Sequence, residues 1–129
     1  MVAWKERILQ MFPDRRVTVV QCAQLVGLFQ LVVTKGLVVR EAELQFVKTG
    51  LGGLHGNKGA LVTRFLLGDS GFVFVNCHLA AHQSEVLARN SDIHQILKEC
   101  TFSLPHTKIL WNRGGDGTKI LVTFSKVGL

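Results

Sequence analysis

Residues 49–65 (TGLGGLHGNKGALVTRF) and 73–90 (VFVNCHLAAHQSEVLARN) decide how this chain is read. The first stretch carries Gly50, Gly52, Gly53, Gly56 and Gly59. Such a backbone is free to take positive φ and to bring its N–H groups close to a ligand. Asn57 and Lys58 place a neutral donor and a cation at the tip of the turn. Neither established glycine fingerprint fits: no Lys-Ser/Thr follows the last glycine as in a P-loop, and no strand–GxGxxG–helix unit surrounds it. Residues 60–67 have the composition of a strand instead. Glycine content by itself suits a long, solvated hairpin loop equally well.

The second stretch sharpens the reading. From Phe72 to His78 the chain is rich in Phe and Val. Period-2 alternation puts Phe72, Phe74, Asn76 and His78 on one face and Val73, Val75 and Cys77 on the other. Asn76 and His78 thus fall at the carboxyl end of a buried strand, where open sheets and sandwiches place their chemistry. An imidazole titrates near neutrality and can hydrogen-bond a phosphoryl oxygen or relay a proton to a leaving group, so His78 is the candidate catalytic residue. A structural hydrogen bond is the alternative for a histidine at a strand end. His82 follows at i+4, a spacing that could hold zinc on a helix, but no third ligand cluster accompanies the pair.

GNKGA at residues 56–60, VNCHLAAH at 75–82 and ARNSD at 88–92, with these gaps, closely resemble the catalytic domain of inositol polyphosphate 5-phosphatases. Residues 20–33 (VQCAQLVGLFQLVV) are similar to the two strands that precede the glycine turn in that family, and the resemblance covers residues 4–105. It implies an α/β fold of the α+β type with a mostly antiparallel sheet. This would be part of the four-layered α/β sandwich of the endonuclease/exonuclease/phosphatase superfamily. It also implies Mg²⁺-assisted, in-line attack of water on the 5-phosphate of phosphoinositides or soluble inositol phosphates. A phosphate monoester needs cationic and N–H donors for its equatorial oxygens and a metal for developing charge. By the same resemblance His78 lies at the scissile phosphate, and Asn57 and Lys58 form part of the substrate and membrane-facing rim. Asn76, His82, Arg89 and Asn90 join the substrate-binding set, with Arg89 either buttressing the site or touching substrate. Ala60 stands where the commoner GNKGG form has a second glycine.

The family's metal-site asparagine, its LQE glutamate and its WFGDLNYR, PAWCDRIL and SDH motifs are not in this sequence, so no metal ligand is assigned within it. The expectation is a partial catalytic domain. Residues 106–129 form a divergent tail in which Asp116 of Gly-Gly-Asp-Gly reads as a turn residue. A non-catalytic remnant that binds phosphoinositides or a protein partner is the competing reading. A nuclease of the same superfamily is disfavoured, because the GNKGA and NCHLAAH pair resembles inositol phosphatases. Apolar residues make up 47% of the chain, and an uncovered sheet with exposed edges is expected to limit solubility.

Elsewhere, residues 2–11 read as a helix with Ile8 and Leu9 inward, and residues 14–16 as a turn. Strands are expected over 17–21, 25–34, 44–48, 60–67, 72–78 and 120–124, with Gly68-Asp69-Ser70-Gly71 as a hairpin turn. Ser84 is placed to cap a helix running to Lys98 with Val86, Ile93 and Leu97 on one face. The net charge of +6 is spread along the chain, which disfavours a specific nucleic-acid site. It suits anionic headgroups, with the protein cytoplasmic and peripheral at membrane surfaces. Cys22, Cys77 and Cys100 are odd in number, lie in apolar surroundings and show no metal spacing, and so read as reduced core residues. No signal peptide is evident, and the apolar run 25–33 is too short to span a bilayer.

Overall fold

The computed structural model describes residues 2–12, 16–25, 27–49, 58–102 and 119–124. Its elements run α1 (Val2–Gln10), β1 (Val17–Leu25), β2 (Leu28–Lys35), β3 (Val39–Thr49), β4 (Lys58–Leu67), β5 (Ser70–His78), α2 (Val86–Glu99) and β6 (Lys119–Phe124). β1 and β2 form an antiparallel hairpin. The main sheet has the order β3-β4-β5-β6, antiparallel except for the parallel β5–β6 pair. The expected mixed α/β fold with mostly antiparallel sheets is therefore what the chain forms. Three successive layers lie among the described residues: the β1–β2 hairpin, the four-stranded sheet and α2.

Burial explains the order of the layers. β4 is buried from Gly59 through Phe65, Thr63 and Arg64 included, as befits a strand covered on both faces. Val47, Ala60, Val62, Val73, Val75 and Cys77 meet Ile96, Cys100 and Phe102 on the α2 side. Leu61 joins Ala23 and Leu28 on the hairpin side. Each large side chain removed from water there stabilises the fold by roughly 1.5–3 kcal/mol. The strand alternation expected for residues 72–78 holds, with Val73, Val75 and Cys77 in the α2 cluster. Phe65 stacks on Phe72 at 5.5 Å and meets Phe74 edge-on at 5.2 Å.

Some boundaries move. β1 reaches Leu25 and β2 begins at Leu28, because the reversal needs a positive φ, which Gly27 supplies at 73°. β3 is longer than residues 44–48, since it pairs with β4 from Val39 to Thr49 with an irregularity between Arg40 and Glu43. Its charged residues suit an outer strand, where low strand propensity is overridden by pairing. At the 68–71 hairpin, Leu67 pairs with Ser70, so only Gly68 and Asp69 form the loop, with φ +60° at Gly68. Ser84 does not cap α2: the N-cap position is Glu85, without a side-chain cap bond. Val86 is 51% exposed rather than inward. Burial along α2 begins at Asp92 and continues at Ile96, the i, i+4 spacing of one face. The glycine turn, Asn57, most of the 14–16 turn and the tail around Asp116 lie outside the described residues.

Candidate functional site at the Lys58 and His78 strand ends

The start of β4 and the end of β5 meet because Gly59 pairs with His78 across the ladder. Gly59 has φ +151°, and a Cβ built there would sit 2.2 Å from the Val47 carbonyl oxygen. Glycine is thus required by close backbone approach between β3 and β4, quite apart from any freedom the preceding turn needs. With no side chain at Gly59, the neighbouring Lys58 extends across: its Nζ lies 2.7 Å from Nε2 of His78, a residue 20 positions later in the chain. His78 is 6% exposed. An ammonium at this distance donates to Nε2, which places the ring proton on Nδ1.

Asn76 lies two residues earlier on the same face. Its Nδ2 donates to the Phe29 carbonyl at 3.0 Å, which ties β5 to the hairpin layer. Thr63 and Gln30 make a second tie of 2.6 Å between the same layers. The strand alternation that separates Asn76 and His78 from Val73, Val75 and Cys77 therefore sets the polar residues toward the hairpin and the apolar ones toward α2.

The loop after β5 is held by α2. Asp92, 8% exposed, accepts the Ala80 N–H at 2.8 Å. Arg89 donates through Nη1 to the His82 carbonyl and through Nη2 to the Gln83 carbonyl at 3.2 Å. His82 is exposed and has φ +73°, a conformation that L residues seldom adopt. Asn90 is exposed on α2. The structure thus gathers Lys58 and His78, sets Asn76 between layers and engages Arg89 with backbone. Sequence reasoning left Asp92 out, although it quoted the ARNSD motif. An aspartate three positions after a called arginine, on the same helix face, was the available signal.

The residues here do not fit a divalent cation. The Lys58 ammonium lies against His78 Nε2 and repels a cation, and the Asp92 carboxylate is already engaged by Ala80. Among the described residues no three His, Cys, Asp or Glu side chains gather as metal ligands. What the Lys58 and His78 end suits is an anion: a cationic group and an imidazole converge there, in a strand-end setting that is largely desolvated. No helix among the described residues is long and apolar enough to cross a membrane.

The model of the family "Endonuclease/Exonuclease/phosphatase family 2" matches residues 1–125. A probable inositol polyphosphate 5-phosphatase of Schizosaccharomyces pombe is 40% identical over 129 residues, covering 92% of this chain and 11% of that protein. Human synaptojanin-2 is 31% identical over 133 residues, covering 96% of this chain and 9% of its own length. The chain spans about a tenth of the length of these relatives. Among solved structures, the inositol polyphosphate 5-phosphatase domain of SPsynaptojanin, in complex with inositol (1,4)-bisphosphate and calcium ion, superposes with a TM-score of 0.69. It is 27% identical, and the match covers 78% of this chain and 31% of that one. A Cimex nitrophorin, 14% identical at a TM-score of 0.50 over 63% of this chain and 29% of its own, shares the fold alone. With the strand-end pair, the sandwich layers and the match over residues 1–125 in agreement, this chain belongs to the endonuclease/exonuclease/phosphatase family 2.

Proposed function

We propose that this chain is part of the catalytic domain of a phosphoinositide and inositol polyphosphate 5-phosphatase, a phosphoric monoester hydrolase that removes the 5-phosphate. The observation that carries this reading is the 2.7 Å approach of Lys58 to His78 at the junction of β4 and β5. The similarity to named 5-phosphatases supports the choice of substrate class. In this proposal the Lys58 ammonium and the His78 imidazole hold the equatorial oxygens of the 5-phosphate. Asn57, His82 and Asn90 complete the proposed ligand-binding set. Asn76 fixes β5 against the hairpin, so that His78 keeps its place. Mg²⁺ is the metal expected for this chemistry, and the described residues do not fit the ion.

Lys58 donates to Nε2 in the unliganded chain. A phosphoryl oxygen that accepts from both groups therefore needs the ring proton on Nε2, the opposite tautomer to that of the unliganded chain. A peripheral position at an anionic leaflet agrees with the net charge of +6.

Two measurements on the purified chain test the reading. Calorimetry should find inositol 1,4,5-trisphosphate bound about tenfold more tightly than inositol 1,4-bisphosphate. His78→Ala and Lys58→Ala should erase that difference. Mg²⁺-dependent phosphate release from phosphatidylinositol 4,5-bisphosphate should be lost in His78→Ala. Equal affinity for the two inositol phosphates, or release indifferent to His78→Ala, would sink the assignment. Binding without release would favour the ligand-binding remnant.

A further inference from the structure

Resting on the 5-phosphatase reading, we propose that Asp92 and Arg89 are positioning residues: from one face of α2 they hold the loop between β5 and α2 (residues 79–85), so that His78 and His82 present a fixed rim to the phosphorylated ligand. Neither touches the ligand. Asp92 is a buried carboxylate that accepts the N–H of Ala80, two residues beyond His78. Such a bond is charge-assisted, and a carboxylate seldom tolerates burial without one. Arg89 directs its planar fork at two successive carbonyls, those of His82 and Gln83, which occupies the geometry it would need for a bidentate grip on phosphate. The His82 carbonyl also accepts the Glu85 N–H at 3.2 Å. A residue with φ +73° persists where its surroundings over-determine it, and at His82 two donors converge on one carbonyl.

The helix that makes these contacts is itself anchored. Ile96 is fully buried in the α2-side cluster. Gln95 Nε2 donates to the Lys48 carbonyl at 3.2 Å, and the Thr101 N–H donates to Gln45 Oε1 at 3.0 Å. Position is thus passed from β3 to α2, and from α2 to the loop that carries His82 and follows His78. This assigns ARNSD a role that needs no contact with substrate: its arginine and aspartate fix a loop, and the loop fixes the imidazoles.

The test compares the chain with Asp92→Ala, Asp92→Asn, Arg89→Ala and Arg89→Lys, at a temperature where methyl NMR signals show each variant folded. Inositol 1,4,5-trisphosphate is the probe. The alanine variants are expected to shift the His78 and His82 imidazole signals, speed amide exchange at Ala80 and Glu85, and weaken trisphosphate binding about tenfold. Asp92→Asn keeps an oxygen that can accept from Ala80 and should restore most of the affinity. Arg89→Lys keeps the charge but not the fork and should restore less. Folded alanine variants with unchanged imidazole signals and affinity would overturn the proposal, as would Asp92→Asn binding as weakly as Asp92→Ala. If the unaltered chain binds no trisphosphate, the 5-phosphatase reading fails, and positioning is then decided by the imidazole signals and amide exchange alone. If Asp92→Ala does not fold, the more exposed Arg89→Ala decides.

Discussion

The two faces of the β3–β6 sheet are closed by different forces. Toward α2, Val47, Ala60, Val62, Val73, Val75 and Cys77 press on Ile96, Cys100 and Phe102. Toward the hairpin, the buried cluster is smaller, Ala23, Leu28 and Leu61 with Leu25 and Leu44 beside it, the Phe65, Phe72 and Phe74 rings meet on the same face, and directional bonds cross the gap from Thr63 to Gln30 and from Asn76 to Phe29. Apolar burial is strong and non-directional, whereas a hydrogen bond contributes only about 0.5–1.5 kcal/mol net but fixes a position. The α2 face therefore supplies most of the stability. The hairpin face sets where its partners stand, and His78 shares that face with Asn76.

Gly59 belongs to both faces at their common end, so changing it should have the largest effect. Gly59→Ala drives a methyl group toward the Val47 carbonyl, 2.2 Å from the ideal Cβ position, and backbone cannot move aside as a flexible side chain can. A loss of at least about 3 kcal/mol, or of folding altogether, is expected. Thermal unfolding reads it directly, and a variant of ordinary stability would mean that β3 and β4 do not approach as described. Ile96→Ala comes next. It opens a cavity in the α2-side cluster where Ile96 is fully buried, costing about 2–5 kcal/mol in urea unfolding. A loss much below 1 kcal/mol would show that the α2 face is not the stabilising one.

How much of this was legible in the sequence follows the same division. The β5 alternation, the 68–71 reversal and the β4 and β6 strands were readable because apolar period and glycine placement act locally. β3 was under-read. Arg40, Glu41 and Glu43 are poor strand formers, and only pairing with β4 draws them into the sheet. Gly27 was placed inside a strand, since nothing local distinguishes a strand glycine from a turn glycine until its φ is known. At the site, His78 and Lys58 were singled out by motif, yet their 2.7 Å approach depends on a bare Gly59 between strands. The i, i+3 spacing of Arg89 and Asp92 is visible in the sequence, but the Ala80 N–H that Asp92 holds is a backbone partner and is not.

Thr63→Val sharpens the comparison on the hairpin side. It keeps shape but leaves Gln30 Oε1, buried between the layers, without its 2.6 Å donor. The expected cost is about 1–2 kcal/mol, smaller than that of Ile96→Ala. Removing both polar partners, as Thr63→Val with Gln30→Leu, should recover much of it, because two apolar groups leave nothing unsatisfied. Full recovery of stability with an altered His78 imidazole signal would separate the two roles assigned to this face. A double variant no better than the single one would show that the Thr63–Gln30 bond does not act as a pair.

The cysteines give the smallest effect and the least invasive comparison, because nothing is mutated. Cys77 and Cys100 belong to the α2-side cluster, and burial pushes both thiols up to about 11, whereas Cys22 is half-buried on the hairpin. A raised pKa means less thiolate at any given pH, and thiolate is the species that reacts. At pH 8, iodoacetamide should modify Cys22 first, while Cys77 and Cys100 wait for the face to open. The sign for stability follows from the same shift. Below pH 9 these thiols are protonated in both folded and unfolded chains. Between pH 9 and about 11 the unfolded chain ionises first, so stability declines as pH rises. Peptide mapping of the alkylated chain distinguishes the cases. Cys77 reacting as fast as Cys22 at pH 8 would mean that the α2 face opens as readily as the hairpin face, and the division between a stabilising face and a positioning face would fall.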